Sequence, residues 1–196
     1  DYLVPLSLFH SRWKEVSAAD LQPPDTVGKG CEYRLAVQSY RPEPAPGPDY
    51  QAQLPEYSRE YFDRLAKLCE EEGVELVLMC APFRADTEQQ GNMAAIADLA
   101  EEYGLTYWNY LERPEVGFDP ETDLFDHSHL NANGALKLTR AVGADLAALG
   151  VPDRRGETEY AAWDDAYTAW RAKLETDAAQ ADFPLTVDGS GDGLVQ

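Results

Sequence analysis

Apolar positions recur at helical spacing along much of the second half of the chain and around its middle. In "PEYSREYFDRLAKLCEEEG" (residues 55–73), apolar and aromatic side chains lie three and four positions apart, and Gly73 supplies a C-terminal stop. The segment "GNMAAIADLAEEYG" (91–104) repeats this pattern and stops at Gly104. We predict an amphipathic helix in each segment.

Two short runs between the helical patterns have the character of strands. "VELVLMCAP" (74–82) is almost continuously apolar and ends at a proline, which predicts a parallel strand covered on both faces. "LTYWNYL" (105–111) is rich in aromatic and β-branched residues, which predicts a second strand. An irregular stretch from Glu112 to Thr122 follows it.

The next segment, "DLFDHSHLNANGA" (123–135), holds two of the three histidines of the chain. It runs into "NANGALKLTRAVGADLAALG" (131–150), which predicts a helix with Asn131 or Asn133 as its N-cap and Gly150 as its stop. Alternating helices and strands indicate an α/β layered fold with a parallel sheet. In such sheets ligands bind beyond the carboxyl ends of the strands, where this motif would lie.

The pattern divides the chain into three parts. Residues 1–54 form a loop-rich segment with recurring prolines, in which Ser17 could cap a brief helix. Residues 55–150 form the α/β core, and residues 151–196 form a helical extension that ends in a flexible tail. Within the extension an aromatic stripe predicts a helical packing face, which consists of Tyr160, Trp163, Tyr167, Trp170 and Leu174.

Charge and cysteine content narrow the classes of function. The 16 basic and 36 acidic residues give a net charge of −20, which repels phosphate backbones and makes nucleic acid an unsuitable partner. No apolar run approaches the roughly 20 residues that cross a bilayer, so a soluble chain is expected. Cys31, Cys69 and Cys80 have neither a disulfide-framework nor a zinc-knuckle spacing.

Asp126 and His129 are the residues for which we predict catalytic chemistry. An aspartate three residues before a histidine can fold back onto one imidazole nitrogen, which fixes the tautomer and leaves the other nitrogen free as a base. On a locally extended backbone His127 and His129 would point the same way and Ser128 the opposite way. We expect no cofactor.

Two alternatives for the motif remain open from the residues alone. His127 and His129 with Asp126 or Asp123 offer three ligands of types that zinc accepts, although no further histidine or cysteine cluster completes such a site. The same polar side chains could instead only cap the following helix and form hydrogen bonds with polar groups of the loop.

The stretch "DLFDHSHLNANGALKLTRAVGADLAAL" resembles the last conserved block of the SGNH (GDSL-type) hydrolase superfamily, and Asp126 and His129 fall on its Asp-x-x-His triad positions. The upstream "YFDRLAKLCEEEGVELVLMCAPF" resembles the helix and strand that precede this block, and the nearest likeness is to cell-envelope members related to DltD and alginate-acetylation proteins. The resemblance implies a flavodoxin-like three-layer α/β/α fold with a parallel sheet. It also implies an esterase or O-acyltransferase, in which a serine attacks the acyl carbon, His129 takes its proton and Asp126 orients His129.

The resemblance further implies partners and a location. The substrate would be an acylated carbohydrate of the bacterial cell surface or a small ester, with a membrane acyltransferase as a further partner. The location would be the bacterial cell envelope or the exterior.

The family's nucleophile block is missing from this sequence. No serine follows a strand in a Gly-Asp-Ser-like context, Ser190 lies in the tail after the histidine, and the oxyanion-hole residues have no counterpart. We therefore expect a chain that is incomplete at its N-terminus and belongs to a longer envelope protein. The alternative is a complete, non-catalytic binding or scaffold module derived from the SGNH fold.

Overall fold

The computed structural model of the protein describes residues 28–41, 50 and 52–186. Within them the chain is a mixed α/β structure with four α-helices and a short parallel sheet of two strands, which confirms the predicted α/β class. The elements, in chain order, are α1 (Glu56–Glu71), β1 (Val77–Cys80), α2 (Thr87–Tyr103), β2 (Thr106–Asn109), α3 (Ala132–Ala148) and α4 (Ala161–Gln180). Short 3-10 turns occur at Tyr110–Glu112, Pro114–Val116 and Thr158–Tyr160.

The sheet forms as predicted from the two strand-like runs. β1 and β2 pair in parallel, with Val77 opposite Thr106 and Cys80 opposite Asn109. Because two adjacent parallel strands need a crossover, α2 connects them in a βαβ unit. The carboxyl ends of both strands therefore lie at the same edge of the sheet.

α2 begins four residues earlier than its hydrophobic pattern predicts. The carboxylate of its N-cap Asp86 accepts a hydrogen bond from the backbone N–H of Gln89 at 2.8 Å, while the Gln89 side chain accepts one from the Asp86 N–H at 2.9 Å. This reciprocal pair is a capping box, and Asp-x-x-Gln was its signal in the sequence. The helix ends at Gly104, whose φ of 64° is a left-handed conformation that glycine adopts without strain.

The prediction that the first strand is covered on both faces is wrong. Cys80 is buried, but Met79 is half exposed, and an open space of about 440 Å³ lies beside the strand between Phe62 and Met93. A continuous apolar run shows that a strand could be covered on both sides; what covers it is decided by distant parts of the fold.

The amphipathic helix α1 is confirmed, yet none of its residues is buried. Phe62 meets the Tyr103 ring edge-on, with the ring centroids 5.2 Å apart. Four other apolar side chains of the predicted face stay exposed, and they are Tyr57, Tyr61, Leu65 and Leu68. The sequence pattern is therefore that of a packing face, but little in the described residues packs against it.

The core lies around α3 and the residues that follow β2. Tyr110 is fully buried, and its hydroxyl donates to a carboxylate oxygen of Asp145 in α3 at 2.7 Å. The guanidinium of Arg113 pairs with the same carboxylate. These contacts fix the turns after β2 against the C-terminal part of α3.

The described residues group into two compact units, one with residues 28–32 and 155–170 and the other with residues 33–154 and 171–186. The predicted aromatic packing face is only partly correct. In the first unit Trp163 and Tyr167 are exposed, and the Lys29 ammonium lies 4.7 Å from the Trp163 ring centroid. In the second unit Leu174 is fully buried.

Some predictions concern residues that the structure does not describe. The helix capped by Ser17 lies outside the described residues, and so does the tail with Ser190. In the predicted loop-rich segment 1–54, the described residues contain no helix or strand. Among the helices of the described ranges, none is both long enough and apolar enough to cross a membrane.

Candidate active site

The motif forms a tight loop that its own aspartate closes. Leu124 and Leu130 form an antiparallel bridge, and the Phe125 N–H donates to the His129 carbonyl at 2.8 Å. Inside this loop, Oδ1 of Asp126 accepts hydrogen bonds from the backbone N–H groups of Ser128 and His129, each at 2.8 Å. An aspartate that bonds to the backbone two and three residues onward stabilises such a turn, and here it sets the local geometry.

Asp126 and His129 form the predicted pair. Nδ1 of His129 lies 2.9 Å from both carboxylate oxygens of Asp126. Because an ionised carboxylate only accepts hydrogen bonds, the network assigns the proton to Nδ1 in the neutral imidazole. Nε2 is then the nitrogen that can accept a proton.

The pKa of Asp126 is held well below its ordinary value. The largest cause is the hydrogen bond from the backbone N–H of Ser128; desolvation opposes it, and the His129 side chain, the His129 N–H and the Ser128 hydroxyl also contribute. Each of these donors stabilises the charged form. The carboxylate therefore stays ionised while it orients the imidazole.

The imidazole faces solvent. The side chain of His129 is 70% exposed, whereas that of Asp126 is 32% exposed. Among the described residues, no hydrogen bond reaches Nε2 of His129. A substrate or a nucleophile can therefore approach this nitrogen.

The loop lies at the edge of the sheet where both strands end. The chain leaves β1 through Phe83 and Arg84, and the backbone N–H of Arg84 donates to the His127 carbonyl at 3.0 Å. The histidines thus lie beyond the carboxyl ends of the strands, where α/β folds place their ligands.

A buried polar shell holds the loop onto α3. Asn131, which is fully buried, caps the helix by accepting from the N–H groups of Asn133 and Gly134 at 3.0 and 3.1 Å, and this resolves the choice between the two predicted caps. Asp123 is also buried, and its carboxylate accepts a hydrogen bond from the Lys137 ammonium at 2.7 Å. A Cβ at Gly134 would lie 2.4 Å from the Asp123 carbonyl oxygen, so this close approach requires glycine.

Two further segments support the motif, and the sequence patterns did not single them out. Residues 34–40 run beside it, because the Gln38 N–H donates to the Leu124 carbonyl and the Ala132 N–H donates to the Arg34 carbonyl, each at 2.9 Å. The alternation of Tyr33, Leu35 and Val37 could have signalled an extended segment there.

The second supporting segment follows α4. The Asn133 amide donates to the Pro184 carbonyl at 2.9 Å and accepts from the Thr186 N–H at 3.0 Å. Nothing in the sequence around residues 184–186 marks this contact, since it depends on how the chain returns after α4.

The locally extended backbone for which Ser128 was expected to point away from the two histidines is not what the structure shows. The backbone bends at residues 125–128 instead of being extended, and this turns Oγ of Ser128 to within 3.2 Å of both Oδ1 of Asp126 and Nδ1 of His129. Ser128 is therefore a third member of the network on the Nδ1 side. His127 contributes its backbone carbonyl, and its side chain is exposed.

The described residues do not supply the other groups that catalysis would need. Of their serines, Ser39, Ser58 and Ser128, none has a hydroxyl that hydrogen-bonds to Nε2 of His129. Within the same described ranges, no three histidine, cysteine, aspartate or glutamate side chains lie close enough together to hold a metal ion.

Comparisons with models of protein families, with curated proteins and with solved structures found no significant match for this chain.

Proposed function

We propose that this chain carries the base and the orienting acid of an SGNH-type serine esterase or O-acyltransferase, within a flavodoxin-like three-layer α/β/α domain. The observation that supports this most directly is the pair itself: Asp126 bonds to Nδ1 of His129 at 2.9 Å, and Nε2 stays open. The sequence likeness supports a substrate such as an acylated cell-surface glycan or a small ester. It equally supports a membrane acyltransferase as partner and a location in the bacterial envelope or outside the cell.

The proposed chemistry follows from these positions. Nε2 of His129 takes the proton of a serine hydroxyl while the serine oxygen bonds to the acyl carbon of the ester. The imidazolium then gives that proton to the departing alcohol oxygen as the ester C–O bond breaks. Asp126 remains ionised throughout and stabilises the positive imidazolium between the two steps, which fits its lowered pKa.

The proposal requires a serine from outside the described residues. The exposed strand residue Met79 and the apolar side chains of α1 that stay exposed support a sheet with further strands and a further layer. Parallel sheets are normally covered on both faces and contain more than two strands. A strand from elsewhere in the protein could then bring the serine to the same sheet edge.

The test uses the full product of the gene that encodes this chain, with p-nitrophenyl acetate as substrate and a fluorophosphonate as serine label. We expect turnover, and we expect His129→Ala to lower kcat/KM by a hundredfold or more, since a general base contributes about 10²–10⁴-fold. The matched control is His127→Ala, which removes an exposed histidine two residues away and should leave kcat/KM nearly unchanged. Equal losses in the two variants would contradict the assignment of the base.

The absence of a serine partner for Nε2 among the described residues favours one alternative, a non-catalytic module on the same fold. It predicts that the fluorophosphonate labels no serine of the full protein and that the His129→Ala variant still binds acylated glycan.

A further inference from the structure

A cavity of about 290 Å³ opens at the edge of the sheet where both strands end. Its walls come from the segments that follow the strands, with Phe83 and Arg84 after β1 and Leu111 and Glu112 after β2. Phe118, which lies shortly before the motif, closes another side. The cavity is therefore at the position where α/β folds bind their ligands.

The cavity wall and the motif loop are joined by a backbone hydrogen bond. The Arg84 N–H donates to the His127 carbonyl at 3.0 Å, and His127 lies two residues before His129. Arg84 and the preceding Phe83 both line the cavity. The cavity is therefore adjacent to the loop that carries the proposed base.

The polar side chains of the lining already have partners or face solvent. The Gln90 side-chain amide donates to the Ala85 carbonyl at 3.1 Å. The Arg84 guanidinium lies 5.3 Å from the ring centroid of Tyr40, a distance at which a cation is attracted to an aromatic face. Glu112 is exposed, so water can solvate its carboxylate. These contacts leave the cavity with little demand for a polar or charged ligand.

The rest of the lining is apolar, and it consists of Phe83, Ala85, Leu111, Phe118 and Pro120. Ala85 is buried, and the other four residues are half-buried. Half-buried apolar side chains around an open space lose exposure to water and gain contacts when a hydrocarbon group enters that space. The lining therefore suits a hydrocarbon group better than a hydroxylated or a charged one.

The size of the cavity limits the length of such a group. A closed apolar cavity of roughly 150 Å³ holds one molecule of benzene, which has six carbon atoms. The cavity at the sheet edge is larger but partly open, so we take it to fit an aliphatic chain of about four to eight carbon atoms. An acetyl group would leave most of this space unfilled.

We propose that this cavity is the subsite for the acyl group of the ester, and that this group is an aliphatic chain longer than acetyl. The inference rests on the proposed function and adds the identity of the group that is cleaved or transferred. The ester carbonyl lies on the side of His129, and the hydrocarbon chain contacts Phe83, Leu111 and Phe118.

The first test measures binding without turnover, in an NMR titration of the 196-residue chain with methyl ketones. Acetone, 2-pentanone and 2-heptanone carry the carbonyl and the chain of acetyl, butanoyl and hexanoyl groups, and they have no ester bond to cleave. We expect 2-pentanone to bind about tenfold more tightly than acetone, since each buried methylene strengthens binding roughly fourfold. The backbone amide signals of Arg84, Gln90, Leu111 and Phe118 should shift.

A variant that fills the cavity provides the second measurement. Leu111→Trp should remove the preference for the longer ketones. The matched control is Ile96→Trp, which replaces another half-buried aliphatic residue by the same ring in the other apolar space, beside β1, and should keep the preference. If either variant does not fold, the series of ketones and the shifted amides of the parent chain still decide.

The second test measures kcat/KM of the full gene product with p-nitrophenyl acetate, butyrate and hexanoate. We expect the butyrate and hexanoate values to exceed the acetate value about tenfold, for the same reason as the ketone affinities. Leu111→Trp should bring the ratio of butyrate to acetate close to one, whereas Ile96→Trp should leave that ratio unchanged.

The inference is overturned if acetone binds as tightly as 2-pentanone, if 2-pentanone shifts the amides around Ile96 instead of those at the cavity, or if Leu111→Trp keeps the preference for longer chains. It is also overturned if acetate is the best of the three esters. Failure of the catalytic proposal would instead appear as an absence of ester turnover while the ketones still bind, so the two failures are separate results.

Discussion

The side chain of Asp126 both stabilises the conformation of the motif loop and orients the imidazole of His129. Its carboxylate accepts hydrogen bonds from the backbone of Ser128 and His129, from the Ser128 hydroxyl and from the His129 imidazole. Because its pKa is lowered, the stabilisation from the ionised carboxylate is present above the unfolded-state pKa of about 3.9. It is lost only as the pH falls through the lower pKa of the folded state.

Asp126→Asn separates the charge from the shape of this residue. The asparagine carbonyl can still accept the two backbone hydrogen bonds, but its NH₂ group then faces Nδ1 and favours the tautomer protonated at Nε2. We expect two-bond ¹H–¹⁵N NMR spectra to show Nδ1–H in the parent chain and Nε2–H in the variant.

The control for the tautomer is Ser128→Ala, which removes the hydroxyl beside Nδ1 and keeps the carboxylate. The Nδ1–H tautomer should persist in it. If the parent chain already carries its proton on Nε2 at neutral pH, Asp126 does not orient His129 as described.

At the scale of elements, α3 and the motif loop depend on one amide. Asn131 caps the helix through its side-chain oxygen, and its NH₂ group donates to the Thr122 carbonyl at 2.7 Å. The fully buried side chain of Asn131 therefore joins the start of α3 to Thr122, which precedes the loop that carries Asp126 and His129. Helix formation and site geometry are coupled at this residue.

Asn131→Ala should lower the free energy of unfolding by about 2 kcal/mol. Loss of an N-cap alone costs about 1 kcal/mol, and the Thr122 carbonyl also loses its donor. Urea unfolding followed by circular dichroism measures this change.

Asn92→Ala provides the comparison for that variant. It replaces the same residue type within α2, where alanine is the better helix former, so the stability should be equal or slightly higher. Equal unfolding midpoints for the two variants would show that Asn131 is not an energetic cap.

At the scale of the whole molecule, the charge of −20 dominates the long-range field. The net self-repulsion favours the expanded, unfolded chain, and dissolved salt screens it within a Debye length of about 8 Å at physiological ionic strength. The same field opposes the approach of other polyanions, so nucleic acid remains an unfavourable partner by prediction.

We expect the melting temperature to rise by several degrees between about 10 mM and 500 mM sodium chloride, because screening reduces the repulsion. Differential scanning fluorimetry at neutral pH measures this shift. At pH 4.3, the isoelectric point expected from the sequence, the same salt series should change the melting temperature much less. A melting temperature that falls with salt at neutral pH would mean that specific ion pairs outweigh the net repulsion.

The sequence by itself determined the features that depend on near neighbours in the chain. The periodicity of apolar residues predicted the helices and the two strands, because backbone hydrogen bonding imposes those periods locally. Gly104 ended its helix as predicted, because only glycine takes a positive φ without strain. The pairing of Asp126 with His129 also followed, since three residues suffice to bring the side chains together.

Only the tertiary structure decided the features that join distant segments. The bend that turns Ser128 onto the pair depends on the bridge and the neighbouring chain around the loop, and the exposure of Met79 depends on what packs over the sheet. The contact from Arg84 to the His127 carbonyl, and the cavity beside it, arise where the ends of two strands meet. Sequence periodicity describes one element at a time, whereas such contacts depend on how several elements pack, and no local pattern encodes that.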